Sequence, residues 1–527
     1  MSLTSSETMS YQTSKVAALF LVKFDSKSGY KMVWSKTSSN ISLDGLEYKA
    51  LPSGVHEFET ATVYLTHEWN GKLYYGLACF RQLDLNENEE TNRDLVRMYS
   101  IGILLEPIKG KFWKPNEFGT VGWEHFDAVQ ETLLEFLKDE DLLRLDTLYQ
   151  NLTGNGLLDL PKPNSPHALN TMLRHPLGKL SVALSAMGPL TFPIYKAALV
   201  RKRLLIFNHS SQGSGMIQEP CDRDPELCGA MAYIISLLSV IPKDVNVEPL
   251  DQHELYSQPL YNVGLQDMNT KYLEHYPGFI ASTSDEILKY QKNLYDYAIV
   301  MPSTDAETCK LVASDKLDLP IRATFNDYTK FLKVYKQLPN EGENATGDDT
   351  SSIRTSNSRF STLRFDIYGE SSNIKLDHEP SWWLDEATSP MSWREYIWLA
   401  FAWFASAGTT NRATTENAFS ENVEAEETRE SMQKQLEQLT IIVSHFHKLT
   451  KKWFYLIDEI VCETVEDRAN DLVSRVTLEL THQDIVDMEL DPYSSEDIEF
   501  VREFVILYWD TVVENVEIGL GFQGLCC

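Results

Sequence analysis

The chain has 527 residues, of which 43% are hydrophobic and 24% charged, and its formal net charge is −30. This length predicts about three domains with sizeable cores, and the composition is typical of a soluble globular protein. The acidic balance argues against nucleic acid as a partner and against direct adsorption to anionic membranes, so membrane residence would require a lipid, a local basic patch or a protein receptor. The seven cysteines lack regular spacing, which favours reduced thiols in a cytoplasmic protein over a disulfide framework or a zinc site.

Residues 1–14 form a polar leader without the apolar core of a signal peptide, so we expect no entry into the secretory pathway. Matches to the glycosylation pattern are therefore interpreted as chance, at Asn40, Asn151, Asn208 and Asn344.

Residues 15–152 are predicted to form a first module of strands covered by a helix. Apolar, β-compatible runs between turn signals indicate five strands, at 16–24, 30–34, 61–66, 73–80 and 99–105. From Trp123 onward, apolar residues recur at helical spacing, at Phe126, Val129, Leu133, Phe136 and Leu137. A linker rich in Gly and Pro follows and ends near Pro166.

Residues 165–338 are predicted to form a central α/β module. Helical patterns are expected at 177–187, 193–200, 225–240 and 321–338, with a short helix at 285–290. Strand-like runs alternate with them, at 204–207, 259–263, 279–282 and 297–301. Pro193 fits the first turn of its helix, because its missing N–H would have no partner there anyway. This alternation predicts a parallel or mixed sheet covered by helices on both faces.

Residues 339–380 are rich in Asn, Gly, Ser, Thr and acidic side chains, and this composition predicts a mobile insert. The aromatic run at 393–407 is shorter than the roughly 20 apolar residues of a membrane-spanning helix, so we favour a buried helix there.

Residues 381–520 are predicted to form an all-helical module. A heptad-like apolar stripe marks one long helix, at Met432, Leu436, Leu439, Val443, Phe446, Trp453, Ile457 and Ile460. Polar Thr450 interrupts this stripe. Ser494 and Asp497 form a capping-box pattern at the start of the last helix. Residues 521–527 are expected to be a flexible tail.

Motifs for covalent chemistry or cofactor binding are missing from the sequence. It contains no P-loop, no dinucleotide-binding glycine motif, no H-E-x-x-H and no paired C-x-x-C, so no cofactor and no metal site is predicted. His445 and His447 are two residues apart and point to different sides of a helix, which argues against shared metal ligation. Ser214 lacks the frame of a nucleophile elbow, so we favour a flexible turn and assign no catalytic residue.

Two features keep a functional interpretation open. Arg201, Lys202 and Arg203 could contact an acidic partner or a lipid headgroup, although we favour a helix C-terminus that cations stabilise. Adjacent Cys526 and Cys527, behind a Gly-rich stretch, could carry two lipid chains, with acylation favoured over prenylation. Two chains would give stable anchoring where one gives only marginal binding. The alternative is an unmodified tail.

Several blocks of the sequence resemble, in order, the LCHN-like branch of the DENN-domain family, including its fungal members. Within 16–80 the blocks include ISLDGLEYKALPSGVH and YYGLACF. YKAALVRKRLLIF at 195–207 resembles the family's helix-to-strand segment, and QPLYNVGLQDM, GFIASTSDEI and NLYDYAIV within 258–301 resemble later central elements. SWREYIWLAFAWFASAG at 392–408 is similar to the C-terminal block of fungal members.

The resemblance implies a longin-like N-terminal module, a central α/β DENN module and a helical C-terminal module. It also implies binding to a Rab-type small GTPase and faster GDP release in membrane trafficking. An exchange factor forms no covalent bond, because it acts by binding the nucleotide-free GTPase more tightly than the loaded one. The alternative is a scaffold protein with a DENN fold at a membrane or lipid-droplet surface and without exchange activity. An α/β hydrolase is disfavoured because the elbow is missing, and no short motif assigns the partner-binding residues.

Overall fold

The computed structural model describes residues 15–25, 27–38, 40–84, 96–107, 118–153, 174–208, 224–247, 250, 254–269, 273, 276–302, 308–338, 380–390, 424–467 and 475–519. Within 424–467 it describes the side chains of 438–465 only. Several predictions therefore lie outside the described residues, namely those for the leader, the linker, the insert at 339–379, the aromatic run at 393–407 and the tail.

The N-terminal part of the chain forms the five predicted strands, a short helix between the second and third strands, and two helices after the fifth. In chain order these elements are β1 (Val16–Asp25), β2 (Gly29–Thr37), α1 (Leu46–Lys49), β3 (Thr60–Trp69), β4 (Lys72–Asp84), β5 (Val96–Leu105), α2 (Phe126–Asp139) and α3 (Leu143–Thr153). β3 and β4 are joined by a two-residue turn, in which Asn70 and Gly71 both have positive φ, as this kind of hairpin requires.

The central part of the chain alternates helices and strands, as predicted. Its elements are α4 (Leu180–Met187), α5 (Thr191–Leu199), β6 (Leu204–Phe207), α6 (Pro225–Leu238), β7 (Gln258–Asn262), β8 (Phe279–Thr283), β9 (Tyr297–Val300), β10 (Lys310–Ala313), β11 (Lys316–Ile321) and α7 (Phe325–Tyr335). The predicted helix at 321–338 begins too early, because β11 continues to Ile321 and the Thr324 hydroxyl caps α7 by accepting from the N–H of Asp327.

One mixed sheet holds the eleven strands β1 to β11, in the order β11-β10-β9-β6-β8-β7-β3-β4-β5-β1-β2. β9, β6, β8, β7 and β3 run parallel to one another. The pairs at either end of this parallel set, from β9 to β11 and from β3 to β2, are antiparallel. The sheet therefore continues from the N-terminal strands into the central strands through β3 and β7.

Both faces of the sheet are covered, so its inner strands are apolar on both sides. In β6, Leu204 and Ile206 belong to the core under the helices, and Leu205 and Phe207 belong to a core on the opposite face. This explains why β6 is a continuous apolar run rather than an alternating one.

The run Pro176–Leu199 is long and apolar enough to cross a membrane by length and composition, but 56% of its most apolar window is buried inside the protein. Gly188, at φ 55°, ends α4 before α5 begins. The indole of Trp383 packs so closely against Gly188 that a Cβ there would lie 2.5 Å from the ring. These helices therefore form part of the core.

The C-terminal part of the chain contains strands, so the prediction of an all-helical module at 381–520 was wrong. Its described elements are α8 (Trp382–Asp385), α9 (Glu424–Asp467), β12 (Val476–Thr481), α10 (His482–Asp487), α11 (Ser495–Tyr508) and β13 (Val513–Gly519). β12 and β13 pair in parallel as a separate two-stranded sheet. Side chains in β12 alternate between the two faces, as they do in a strand with one buried face. Val476, Leu478 and Leu480 are buried, whereas Glu479 is exposed.

A buried ionic cluster joins α5, α7 and α11. The Lys196 ammonium lies 2.6 Å from Asp327 Oδ2 and 2.5 Å from Asp497 Oδ1. Burial disfavours the charge, but the two carboxylates raise the pKa of Lys196 overall and keep it protonated. Asp497 therefore does not close the predicted capping box, although the Ser494 hydroxyl does accept from the N–H of Asp497.

Candidate protein-interaction site

The basic triplet at the end of α5 is engaged inside the protein. The buried Arg201 guanidinium donates to the backbone carbonyl of Glu254 at 2.6 Å. Lys202 pairs with Glu503 at 2.5 Å, and Arg203 pairs with Asp296 at 2.8 Å. The triplet therefore links α5 to α11 and to the segment before β9.

Other residues that the sequence singled out do not assemble into a site. The Nε2–H of His447 donates to the Leu237 carbonyl at 2.8 Å, whereas His445 lies near Glu489 and several lysines. Ser214, Cys526 and Cys527 lie outside the described residues. Within the described part of the chain, no group of three or more His, Cys, Asp or Glu side chains is arranged to hold a metal ion.

Three loop segments meet at the carboxyl ends of β7 and β8. A Cβ on Gly45, just before α1, would lie 3.9 Å from Gln266 Cγ in the 3₁₀ helix after β7. The N–H of Leu265 in that helix donates to Asp285 Oδ2 at 3.0 Å, and Asp285 precedes the 3₁₀ helix Glu286–Tyr290. In open α/β sheets, binding sites lie at the carboxyl ends of parallel strands.

A buried ion pair fixes α1 onto these central segments. The Lys49 ammonium lies 2.6 Å from Asp267 Oδ1 and donates to the Thr66 carbonyl at 2.9 Å. The side chains of Lys49 and Asp267 are only 4% and 7% exposed. The Asn262 amide at the end of β7 donates to the backbone carbonyl of Lys49 at 3.2 Å. The N-terminal and central strands therefore present one continuous surface here.

Large apolar side chains lie exposed on this surface. We call Tyr48, Leu265, Ile287 and Tyr290 the junction surface; their exposed fractions are 54%, 41%, 58% and 73%. Buried Leu288 anchors the last segment to the core, which leaves its neighbours facing outward. Exposed apolar clusters with a polar rim mark sites of protein association.

Several acidic side chains lie beside the junction surface. Tyr48 contacts Tyr30 with ring centroids 5.7 Å apart, and burial together with the Asp285 carboxylate raises the pKa of Tyr30. Asp44 and Glu47 line a shallow groove beside Tyr30. Burial raises the pKa of Asp285 as well. The arrangement offers apolar contact and negative charge, which suits non-covalent binding of another protein.

No sequence motif indicated these four side chains. Tyr48, Leu265 and Ile287 do lie in blocks that carry the family resemblance, which is the one signal that could have pointed to them. Tyr290 lies just beyond its block.

Comparison with known proteins identifies one relative over nearly the whole chain and others over about half to two thirds of it. "Uncharacterized protein ANR2" of Saccharomyces cerevisiae is 23% identical, over 97% of this chain and 94% of that protein. "Uncharacterized protein C119.16c" of Schizosaccharomyces pombe is 24% identical, over 64% of this chain and 75% of that protein. "DENN domain-containing protein 11" of Xenopus laevis is 24% identical, over 53% of this chain and 58% of that protein.

Two family models match the chain in separate regions. Residues 388–526 match a "Domain of unknown function (DUF4484)". Residues 19–310, more than half of the chain, match the model described as "DENN domain-containing protein 11". This region contains the junction surface and the parallel strands β3, β6, β7, β8 and β9. The chain belongs to the DENN domain-containing protein 11 family.

Proposed function

We propose that this protein is a DENN-type guanine nucleotide exchange factor that binds a Rab-type small GTPase and promotes GDP release in membrane trafficking. Family membership is the observation that carries the proposal. In this proposal the N-terminal strands with α1 correspond to the longin-like module, and the GTPase binds at the junction surface.

The geometry of the junction surface supports a protein partner. Its exposed side chains come from α1 in the N-terminal part of the chain and from two 3₁₀ helices in the central part, so a single partner can contact both parts. An exchange factor must bind the nucleotide-free GTPase more tightly than the loaded form, and a 10⁴-fold weakening of nucleotide affinity takes about 5.5 kcal/mol of differential binding. Contacts spread over both parts of the chain can supply this without a catalytic group.

Nucleotide release from a panel of GDP-loaded Rab proteins tests the proposal. We expect the full chain to accelerate release from at least one Rab. The double variant Ile287→Asp and Tyr290→Asp should lower the rate at least about tenfold, because it places charges in the apolar centre of an interface. Leu319→Asp is the matched control, since Leu319 is 66% exposed on β11 at the other end of the central strands.

Two outcomes would contradict parts of the proposal. Binding of a Rab without faster release would favour the scaffold alternative over exchange activity. Equal loss of activity in the control and in the junction variants would show that the partner binds elsewhere. Circular dichroism spectra of all variants should match the wild type, since the changed side chains are exposed.

A further inference from the structure

Half of the junction surface is carried by a short segment that one apolar side chain anchors to the core. Ile287 and Tyr290 belong to the 3₁₀ helix Glu286–Tyr290, in which Leu288 is the buried residue. A single helical turn has little stability of its own, because it fixes several backbone dihedrals for few hydrogen bonds. The conformation of this segment therefore depends on contacts with the rest of the protein.

The Tyr295 hydroxyl holds the end of this 3₁₀ helix. It donates to the backbone carbonyl of Lys289 at 2.6 Å. The Tyr295 ring is fully buried in the same core as Leu288 and contacts the ring of Phe207 on β6 edge-on, with centroids 5.8 Å apart. Because packing fixes the ring, the hydroxyl sets the position of the turn that presents the exposed side chains.

Arg203, the last residue of the basic triplet, holds the loop 291–296 that connects the 3₁₀ helix to β9. Its guanidinium donates to the Asn293 carbonyl at 2.7 Å and to the Asp296 carboxylate at 2.8 Å. The backbone N–H of Arg203 also donates to Asp296 Oδ2, at 2.7 Å, and the N–H of Asp296 donates to the Arg203 carbonyl at 2.9 Å. These bonds fix the loop at its middle and at its end.

The Arg203–Asp296 pair is ionised near neutral pH. Burial disfavours the charge of Asp296, but the hydrogen bonds and the charge of Arg203 lower the pKa of this carboxyl overall. The fork of the guanidinium can therefore engage a carboxylate and a carbonyl at once.

We propose that Tyr295 and Arg203 are positioning residues of the junction surface, which hold Ile287 and Tyr290 in the orientation that a protein partner contacts. A surface that is already ordered loses less conformational entropy when its partner binds, so it binds more tightly. This inference deepens the proposed function and rests on it for the identity of the partner. It also gives one residue of the basic triplet a role through the loop rather than through direct contact with an acidic ligand.

Hydrogen exchange in the free protein tests the positioning without a GTPase. The N–H of Leu288 donates to the Asp285 carbonyl, and the N–H of Gln291 donates to the Leu288 carbonyl. Both amides should exchange at least about threefold faster in Tyr295→Phe, because the turn loses one hydrogen bond that holds it. Amides of β9 should exchange as in the wild type. Unchanged exchange at the two amides, or equally faster exchange in β9, would overturn the proposal.

Tyr195→Phe is the matched control. The Tyr195 hydroxyl is also buried and also donates to a backbone carbonyl, that of Phe446 at 3.1 Å, but it lies in the core on the opposite face of the sheet. This variant should lose stability and leave the exchange of Leu288 and Gln291 unchanged. Faster exchange at these two amides in the control would show that any loss of stability releases the turn, and would overturn a specific role for Tyr295.

Nucleotide release kinetics give a readout that a merely structural role would not change. With a Rab that responds to the wild type, Tyr295→Phe should raise KM for the GDP-loaded Rab about three- to tenfold and leave kcat nearly unchanged. Arg203→Lys should act in the same direction, since one ammonium cannot replace the fork that holds Asn293 and Asp296. A structural defect would instead reduce the active fraction, which lowers kcat and leaves KM as it was, and that result would overturn the proposal.

Combined variants show whether the effect acts through the exposed side chains. In a chain that already carries Ile287→Asp and Tyr290→Asp, Tyr295→Phe should cause no further loss, because the surface that it positions no longer contributes. Losses that multiply would overturn the proposal. If no Rab responds to the wild type, the exchange activity is refuted, whereas hydrogen exchange still decides whether Tyr295 positions the surface.

Discussion

Two polar side chains on α5 and α9 form buried interactions inside the protein. Thr450, which interrupts the apolar stripe of α9, contacts the Tyr195 hydroxyl at 2.5 Å and donates to the Phe446 carbonyl. The polar residue in the stripe therefore forms a buried hydrogen bond between α5 and α9. Lys196 is likewise a buried partner of two carboxylates rather than a surface cation.

His175 should make the protein less stable in mild acid. Its Nδ1 accepts a hydrogen bond from the N–H of Leu177, and burial lowers the pKa of the imidazole to about 4. An unfolded histidine titrates near 6.5, so between these values the unfolded chain binds a proton that the folded chain does not. The free energy of unfolding should therefore fall as pH is lowered from about 6.5, by up to about 3 kcal/mol at pH 4 from this group.

The variant His175→Asn isolates this contribution in urea unfolding measured from pH 7 to pH 4. Asparagine keeps an acceptor for the Leu177 N–H but does not titrate. The variant should therefore lose less stability on acidification than the wild type does. Parallel pH profiles for the two proteins would show that His175 is not the buried neutral group described above.

At the scale of single elements, α11 depends on its N-cap. The Ser494 hydroxyl is buried and accepts a hydrogen bond from the N–H of Asp497 at 3.2 Å. Ser494→Ala should lower the free energy of unfolding by about 1 kcal/mol, because an N–H at the helix start loses its acceptor. Ser495→Ala makes the same chemical change one residue later, at an exposed position, and should have an effect below about 0.5 kcal/mol in the same urea unfolding assay. Equal effects would contradict the capping role.

Elements with a clear hydrophobic pattern were predictable from the sequence, whereas elements with a weak hydrophobic pattern were not. β6 is buried on both faces and therefore appears in the sequence as a continuous apolar run. α2 is buried on one face and therefore shows apolar residues at helical spacing. β11 was missed, since it is an edge strand whose side chains are mostly exposed and whose Pro320 argues against a strand. β12 was missed because its alternation spans only six residues.

At the scale of the whole molecule, the junction surface was not predictable because its parts are far apart in the sequence. α1, which holds Tyr48, and the segment after β7, which holds Leu265, are brought together by the pairing of β3 with β7 at Leu65 and Asn262 and by the ion pair between Lys49 and Asp267. Parallel pairing between strands so distant in sequence leaves no local signal. The contact between α7 and α9 is similar, since Lys330 of α7 and Lys452 of α9 both bind Glu489, which neither helix contains.

The ion pair between Lys49 and Asp267 should couple the N-terminal strands to the central strands. Lys49→Met leaves the buried Asp267 carboxylate without its counter-ion and should lower the free energy of unfolding by about 3–5 kcal/mol. Asp267→Asn in the same chain removes that charge and keeps an acceptor for the N–H of Gly264. The double variant should therefore be about 2 kcal/mol more stable than Lys49→Met alone.

Urea unfolding measures these differences, and hydrogen exchange shows where they act. In Lys49→Met, the amides of Leu65 in β3 and Asn262 in β7 should exchange faster together, because the two strands are neighbours in one sheet. Faster exchange in β3 alone, or a double variant no more stable than the single one, would show that the two sets of strands are not coupled through this pair. Loss of that coupling would also separate Tyr48 from Leu265, since α1 is held to the segment after β7 by the same ion pair.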